Sequence, residues 1–279
     1  MRHRALPVGV EVHGIDLAGP VADADIDLLR ELYRTHHLLV FRGVPLSGER
    51  QVEVAGWFGP VLAEKFGAFG FVSNVIEGGV VPEGGLTYHS DFAFTPDPLL
   101  GISLLALAVP AGGAPTRFAD VARATRALPS ASREELEGRR ILNVFDFGAP
   151  ADRRMRAADL APGSPSCVLD VFGVHPVTGE EIVRANEMHT DCILGVGPEA
   201  SDASLAELFG HLYAPANTYE HVWEVGDLVI WDNLAVHHGR GDFPVHEERT
   251  LRRVALGTKG AAEIVPNIAE LLAAAKGAA

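Results

Sequence analysis

Hydrophobic and polar residues follow two periods along the chain, and the period of two, typical of strands, is the more frequent. Residues 9–17 alternate as in a strand with one buried face, whereas LLVF at 38–41 and LLGISLLALAVP at 99–110 are almost wholly apolar, as in buried strands. Similar runs predict strands at 71–76, at 141–147, on both sides of a turn at 178–179, and at 251–257. HVWEV and LVIWDN, which flank Gly226-Asp227, predict a β-hairpin over 221–233.

The helical period occurs in fewer segments. Residues 22–37, ADADIDLLRELYRTHH, place Leu29 and Leu32 on one apolar face, and further helices are predicted at about 47–58, 203–213 and 268–276. Ser132 followed by Glu135 matches a capping box and predicts a short helix there. Strands and helices do not alternate regularly, so the predicted fold class is mainly β with flanking helices. The predicted core is a double-stranded β-helix, the jelly-roll of cupin-like proteins.

Two segments show neither period. One is the glycine-rich stretch 59–88, and the other begins with the polar, Pro- and Gly-rich residues 148–165. No repeat or low-complexity linker divides the chain, so we predict one domain over 1–279, with lid or substrate loops near 59–88 and 148–195. Arg153, Arg154 and Arg156 on the second loop either meet an anionic substrate or are solvated.

Composition narrows the classes of partner. The formal net charge of -14 repels nucleic acid and anionic membrane surfaces, so neither is an expected partner. Cys167 and Cys192 belong to no CxxC motif and are expected to be reduced thiols. The first residues lack the apolar core of a signal peptide, and no apolar run is long enough to cross a bilayer. A soluble, cytoplasmic protein is therefore expected.

Two short motifs carry residue types that bind metals. In YHSDF, His89 and Asp91 lie two apart, so a strand would point both side chains to one face. In VIWDNLAVHHGR, His237 and His238 follow an apolar strand and offer a third ligand. Two histidines and one carboxylate leave three positions open on an octahedral metal, which suits Fe(II). Zinc hydrolases use the same ligand types, and an ordinary hydrogen-bonded His–Asp pair would have the same sequence.

A third motif offers binding groups for a carboxylate. In EERTLRRVAL, a strand would place Arg249 and Arg253 on one face and Arg252 on the other. A guanidinium group on an apolar face needs an anionic partner, because an unpaired buried charge is costly. A dicarboxylate ligand would be one such partner, and the abundant Asp and Glu of the chain would be another.

Taken in this order, the three motifs resemble the TauD/TfdA family of Fe(II)- and 2-oxoglutarate-dependent dioxygenases. The segments GVEVHGIDL, LLVFRG, GGAPTRFADV and HPVTG extend the resemblance over nearly the whole chain. It implies an enzyme that uses Fe(II), O2 and the co-substrate 2-oxoglutarate to oxidise, most commonly to hydroxylate, a small molecule, with release of succinate and CO2. It implies the metal ligands His89, Asp91 and His238, with Thr116, Arg249 and Arg253 at the 2-oxoglutarate site.

The substrate side departs from the family pattern. Taurine dioxygenase has a histidine and a tyrosine after its FGEL segment, whereas this chain offers Lys65 and Phe66 there, so taurine is not expected. The predicted substrate contacts are Lys65, Phe66, Phe92 and Arg253, which favour an anionic or amphiphilic small molecule. The carboxylate of Asp91 occupies the position that halogenases leave open for chloride.

Several alternatives stay open at the level of sequence. The same site could carry out desaturation, cyclisation or other natural-product tailoring. The fold could instead be a non-catalytic jelly-roll ligand-binding protein, or a zinc hydrolase that uses Arg249 for a substrate carboxylate. The resemblance also implies a homo-oligomer, a dimer or a tetramer.

Overall fold

The computed structural model describes residues 1–80, 84–112, 114–244 and 246–277. The strands are, in chain order, β1 (Arg2–Ala5), β2 (Val10–His13), β3 (Leu38–Phe41), β4 (Gly70–Ser73), β5 (Leu86–His89), β6 (Gly101–Ala108), β7 (Thr116–Asp120), β8 (Arg140–Val144), β9 (Ser166–Asp170), β10 (Phe172–Val174), β11 (Glu181–Val183), β12 (Thr190–Ile193), β13 (Thr218–His221), β14 (Leu228–Asp232), β15 (Val236–Arg240) and β16 (Thr250–Leu256). The helices are α1 (Asp23–His36), α2 (Gly48–Gly56), α3 (Val121–Arg126), α4 (Ser130–Leu136), α5 (Pro198–Leu212), α6 (Ala261–Ile264) and α7 (Ile268–Gly277), with 3-10 turns at Ala157–Asp159 and Pro215–Asn217. None of the described helices combines the length and the apolar character that crossing a membrane requires.

A seven-stranded sheet forms one wall of the molecule, in the order β1-β2-β3-β14-β6-β16-β4. The central strands β3, β14 and β6 are mostly apolar, as expected for strands that are buried on both faces. On β14, Leu228 and Ile230 pack with the apolar face of α1, whereas Val229 and Trp231 point to the opposite face, toward the second sheet. The alternation along one strand therefore joins a helix-covered layer to a core between two sheets.

The second wall is a four-stranded antiparallel sheet in the order β13-β7-β15-β5. Phe118 of β7 and Val236 of β15 pack against the large sheet in the same apolar cluster as Trp231. A three-stranded sheet, β12-β8-β9, and the hairpin β10-β11 lie beside this wall, where helices α3 and α5 cover them. Two facing sheets with flanking helices confirm the predicted fold class.

Most predicted elements are present with shifted ends. The helix over 22–37 is α1, the strand at 38–41 is β3, and the apolar run at 99–110 contains β6. The strand predicted over 9–17 is shorter, since β2 ends at His13 before Gly14, whose φ is 71°.

Two local predictions are wrong. HVWEV and LVIWDN do not form a hairpin, because β13 pairs with β7 in the small sheet whereas β14 pairs with β3 and β6 in the large one. The capping box is also absent: α4 begins at Ser130, so Ser132 lies inside the helix, where its hydroxyl donates to Glu207 (2.6 Å). In both cases contacts with distant parts of the chain replace the local pattern.

Candidate metal and co-substrate site

Three candidate ligands converge at the edge of the small sheet, facing the large sheet. His89 is the last residue of β5, Asp91 lies in the turn that follows, and His238 lies on β15 directly opposite His89. Asp91 Oδ1 is 3.4 Å from His89 Nε2 and 3.6 Å from His238 Nε2, and all three ligand atoms lie within 4.8 Å of one another. The structure therefore brings together the three predicted ligands.

The histidines present the atoms that a metal needs. His89 Nδ1 lies 2.9 Å from the carbonyl oxygen of Thr87, which can only accept, so Nδ1 carries the proton and Nε2 offers its lone pair. Burial is the main cause that lowers the pKa of His238 well below its usual value, which keeps that imidazole neutral. Two neutral imidazoles and one carboxylate are a donor set that fits Fe(II).

The carboxylate of Asp91 stays ionised in this buried position. Burial alone would raise its pKa, but the adjacent His89 and His238 rings and the charge of Arg253 outweigh burial and lower the pKa below its usual value. Arg253 NH2 donates to Asp91 Oδ2 at 2.9 Å, and this leaves Oδ1 directed at the two histidines. The two oxygens of one carboxylate thus have separate partners.

The WDN segment fixes the turn that carries Asp91. Asn233 Oδ1 accepts from the Asp91 backbone N–H (2.9 Å), and Asn233 Nδ2 donates to the carbonyl oxygens of Asp91 (3.1 Å) and Leu99 (2.9 Å). Asn233 is fully buried. No role for this residue follows from the motif alone, although its place in WDN is a usable signal.

Replacing Asn233 with alanine should weaken metal binding without removing a ligand. Three buried hydrogen bonds are lost, so we expect the free energy of unfolding to fall by roughly 1–3 kcal/mol. Metal affinity should fall by about 10–100-fold, as is typical when support outside the ligands is lost. Urea unfolding and metal titration of the folded variant measure both effects. Unchanged metal affinity would show that the turn keeps its shape without the amide.

The other buried histidines near the motifs have different partners. His175 Nε2 is 2.9 Å from Asp232 Oδ2, while its Nδ1 accepts from the backbone N–H groups of Val177 and Thr178, so His175 braces the HPVTG turn. His237 points away from His238, and its Nδ1 is 3.0 Å from the Tyr213 hydroxyl. Burial, followed by the charge of His89, lowers the pKa of His237 to about 3.

Thr116 and Arg249 form the predicted carboxylate site. Trp223 Nε1 donates to Thr116 Oγ1 (2.9 Å), which leaves the hydroxyl hydrogen of Thr116 available for another acceptor. Arg249 is 2% exposed, donates a long bond (3.5 Å) to the Ala114 carbonyl, and has no partner at Nε among the described residues. Burial, and then the charge of Arg240, lower the pKa of Arg249 to about 9, so it remains a cation at neutral pH.

The remaining arginines of the same motif differ in their partners. Arg252 donates to Gln51 Oε1 (2.8 Å) and to the Leu46 carbonyl (2.7 Å), which confirms that it points away and supports the structure. Arg253 lies between two carboxylates, Asp91 and Glu64, in a largely buried cluster. Glu64 belongs to the loop predicted to form the substrate wall, but no motif indicates it.

The predicted substrate contacts differ in exposure. Lys65 and Phe66 are exposed, with the Lys65 ammonium 5.8 Å from the centre of the Phe66 ring. Phe92 follows Asp91, adopts a left-handed backbone (φ 62°), and packs against the core between the sheets. His189 contributes a further buried wall, since its ring stands edge-on to that of His89 at 5.8 Å.

Two of the three arginines of the second loop have partners in the protein, whereas Arg153 is exposed. Arg154 and Arg156 each pair with one oxygen of Asp202 on α5, at 2.9 and 2.7 Å. Both also donate to the backbone near β12, Arg154 to Thr190 and Arg156 to Asp191. These contacts hold residues 154–156 against α5 and β12.

The sequence matches a known protein family over most of its length. Residues 2–255 match the family model described as taurine catabolism dioxygenase TauD, TfdA family. The chain belongs to the TauD/TfdA family. Its TauD/TfdA relatives include pentalenolactone F synthase of Streptomyces arenae, 28% identical over 89% of this chain and 91% of that one.

A second TauD/TfdA relative is the alpha-ketoglutarate-dependent 2,4-dichlorophenoxyacetate dioxygenase of Cupriavidus pinatubonensis, also 28% identical, over 90% of this chain and 94% of that one. The crystal structure of a taurine dioxygenase from Burkholderia xenovorans has a TM-score of 0.74 at 24% identity, with 90% of this chain and 88% of that one covered; this similarity shows the fold. Family membership confirms the predicted enzyme class, an oxidoreductase that uses Fe(II), 2-oxoglutarate and O2 to oxidise a small molecule. Family membership does not favour the alternative reactions or the non-catalytic ligand-binding protein that the sequence left open.

Proposed function

We propose that His89, Asp91 and His238 bind the Fe(II), that Thr116 and Arg249 bind the far carboxylate of 2-oxoglutarate, and that a small molecule is oxidised beside them. The observation that carries this proposal is the convergence within 4.8 Å of three suitable ligand atoms, two on paired strands and one in the turn that follows β5. The buried cation of Arg249, whose Nε has no partner in the part of the chain that the structure describes, supports it.

The residues of the chain contribute position and exclusion of water. When bound, Fe(II) would activate O2, 2-oxoglutarate would supply two of the four electrons needed as it is converted to succinate and CO2, and the substrate would supply the other two. Thr87 sets the orientation of the His89 ring, and Asn233 sets the backbone of Asp91. The Trp231 ring, 5.0 Å from that of His238, and the fully buried Phe118 opposite it on β7 shield the ligand side of β15.

An anaerobic titration tests the proposed function. Protein with Fe(II) and 2-oxoglutarate should develop a visible charge-transfer band, and admission of O2 should then yield succinate. The absence of both signals from a folded sample would contradict the proposal. A band without succinate would locate the fault after co-substrate binding.

The nature of the substrate is a finer question. The 2,4-dichlorophenoxyacetate named for one relative is a carboxylate. An anionic substrate for this chain is the hypothesis based on Lys65 and Arg253. Such a substrate would have to share Arg253 with Asp91 and Glu64. The single domain over 1–279, the lids near 59–88 and 148–195, the homo-oligomer and the cytoplasmic location stay predictions.

Trp223 should act as a positioning residue for Thr116. Its replacement by phenylalanine removes the hydrogen bond that orients the Thr116 hydroxyl, while the ring stays apolar. We expect the KM for 2-oxoglutarate to rise by about 5–10-fold, as loss of roughly 1 kcal/mol of hydrogen bonding implies. Fe(II) affinity should stay unchanged. A fall in kcat without a change in this KM would contradict the assignment.

A further inference from the structure

Glu64, Arg253 and Asp91 form a cluster of ion pairs at the candidate site. Arg253 donates to Asp91 Oδ2 at 2.9 Å and to Glu64 Oε1, so its guanidinium serves two carboxylates at once. The three side chains are between 13% and 22% exposed. The ion pairs of this cluster have little contact with solvent. Each charge therefore depends on its protein partners, because water does not stabilise it there.

The backbone around Glu64 is shaped to deliver its carboxylate. Glu64 and Gly67 close a tight turn, in which Glu64 N donates to the Gly67 carbonyl (2.7 Å) and Gly67 has a φ of 95°. Gly70 stands directly opposite Arg253 in the ladder between β4 and β16. A Cβ atom at Gly70 would lie 2.2 Å from Glu64 Oε2, so only glycine leaves room for the carboxylate.

Glu64 changes the charge that the loaded site presents to a substrate. Fe(II), Arg249 and Arg253 carry as much positive charge as Asp91, Glu64 and the 2-oxoglutarate dianion carry negative charge. Without Glu64, one positive charge would remain, and it would lie at Arg253. In a buried site, such a charge attracts an anion strongly and disfavours an uncharged ligand that cannot pair with it.

From these contacts we infer that Glu64 determines substrate specificity: it occupies Arg253, excludes substrates that carry a carboxylate or sulfonate beside it, and selects an uncharged group there. The inference rests on the proposed function, and it replaces the anionic substrate group suggested by Arg253 with an uncharged one at that position. An anionic group would have to displace Glu64 and leave that carboxylate buried without its partner, which is costly.

Two matched probes test the inference, phenoxyacetate and phenoxyacetamide, which differ only in the charge of one end. Calorimetric titration into oxygen-free protein loaded with Fe(II) and 2-oxoglutarate measures both dissociation constants. Wild-type protein should prefer the amide. In Glu64→Gln, phenoxyacetate should bind at least about 10-fold more tightly than in wild type, as expected for a newly available charge-assisted pair. The affinity for phenoxyacetamide should change less than about 3-fold.

Three variants serve as comparisons. Glu77→Gln removes an exposed charge from the same loop region and should leave both affinities unchanged. Glu64→Ala should gain affinity for acetate, which can refill the vacated position. Gly70→Ala displaces Glu64 without removing its charge, and should change the preference in the same direction as Glu64→Gln.

The outcomes separate the inference from the proposed function. Tighter binding of phenoxyacetate than phenoxyacetamide by wild-type protein overturns the role of Glu64, as does an unchanged or absent affinity for phenoxyacetate in Glu64→Gln. The 2-oxoglutarate charge-transfer band is recorded on the same samples. If that band is present, such results remove only the role of Glu64, whereas loss of the band in wild-type protein contradicts the proposed function itself.

Discussion

Replacement of Arg249 by methionine is expected to abolish tight binding of 2-oxoglutarate and, at the same time, to stabilise the free protein. The proposed partner of this buried cation is the far carboxylate of the co-substrate. Its loss should raise the dissociation constant by roughly 100- to 1000-fold, as for truncation of one member of a buried charge pair. In the free protein, Arg249 has no ion pair among the described residues, so methionine should raise the free energy of unfolding by about 1–3 kcal/mol.

Arg252→Met is the matched control for this prediction. It removes the same type of side chain, an arginine, three residues further along the chain. Arg252, however, lies on the opposite face of β16 and donates hydrogen bonds to Gln51 and Leu46. We therefore expect lower stability and unchanged affinity for 2-oxoglutarate. Denaturant unfolding and anaerobic titration give both quantities for both variants. If Arg249→Met destabilised the free protein as Arg252→Met does, the proposal that Arg249 is a buried cation whose partner is the co-substrate carboxylate would be wrong.

The second large effect is expected for His238→Ala, which removes one of three candidate metal ligands. Loss of a residue that only supports a metal ligand lowers metal affinity by roughly 10–100-fold, so loss of a ligand itself should lower the Fe(II) affinity by more than this. Production of succinate should cease. Because the His238 imidazole borders the candidate metal site and not the centre of the apolar core, its removal should cost less stability than the loss of a central core residue. Metal titration of the folded variant measures the affinity directly.

His237→Gln provides the comparison, because its side chain lies one residue away and faces the Tyr213 hydroxyl instead. Glutamine can keep a hydrogen bond to that hydroxyl, so we expect modest destabilisation and an unchanged charge-transfer band with Fe(II) and 2-oxoglutarate. Loss of the band in His237→Gln and its retention in His238→Ala would reverse the assignment of the third ligand.

Both predictions follow from the way in which the two sheets face each other. The small sheet carries His89 and His238 on paired strands, and the large sheet carries Arg253 on β16, whose guanidinium reaches Asp91. Arg249 immediately precedes the same strand. The metal ligands and the two arginines, Arg249 and Arg253, are thus held on separate walls, whereas Thr116 lies on β7 of the small sheet, and the proposed site lies between the walls.

Short motifs were sufficient to predict the candidate metal ligands. The spacing of His89 and Asp91 suggested one shared point, although Asp91 lies in the turn after β5, and the choice of His238 over His237 came from the resemblance to the TauD/TfdA family. The alternation of a strand separated Arg252 from Arg249 and Arg253. Apolar runs such as LLVF predicted buried strands, because the content of such a run depends on burial.

Other features were decided only by contacts between distant parts of the chain. The hairpin predicted over 221–233 failed because β13 and β14 found partners in different sheets, and the hydrogen bonds of a strand depend on which partner is adjacent. Trp223 reaches Thr116 across 107 positions, and Glu64 reaches Arg253 across 189.

The sequence by itself therefore determined the fold class, the family and the candidate ligands, since these depend on periodicity and short spacing. Only the tertiary structure decided which charges meet, and so how the site would receive a substrate. The physical reason is that a buried charge takes its partner from whatever the folded backbone places within hydrogen-bonding reach. For Arg253 that partner is Glu64, admitted by the missing side chain of Gly70.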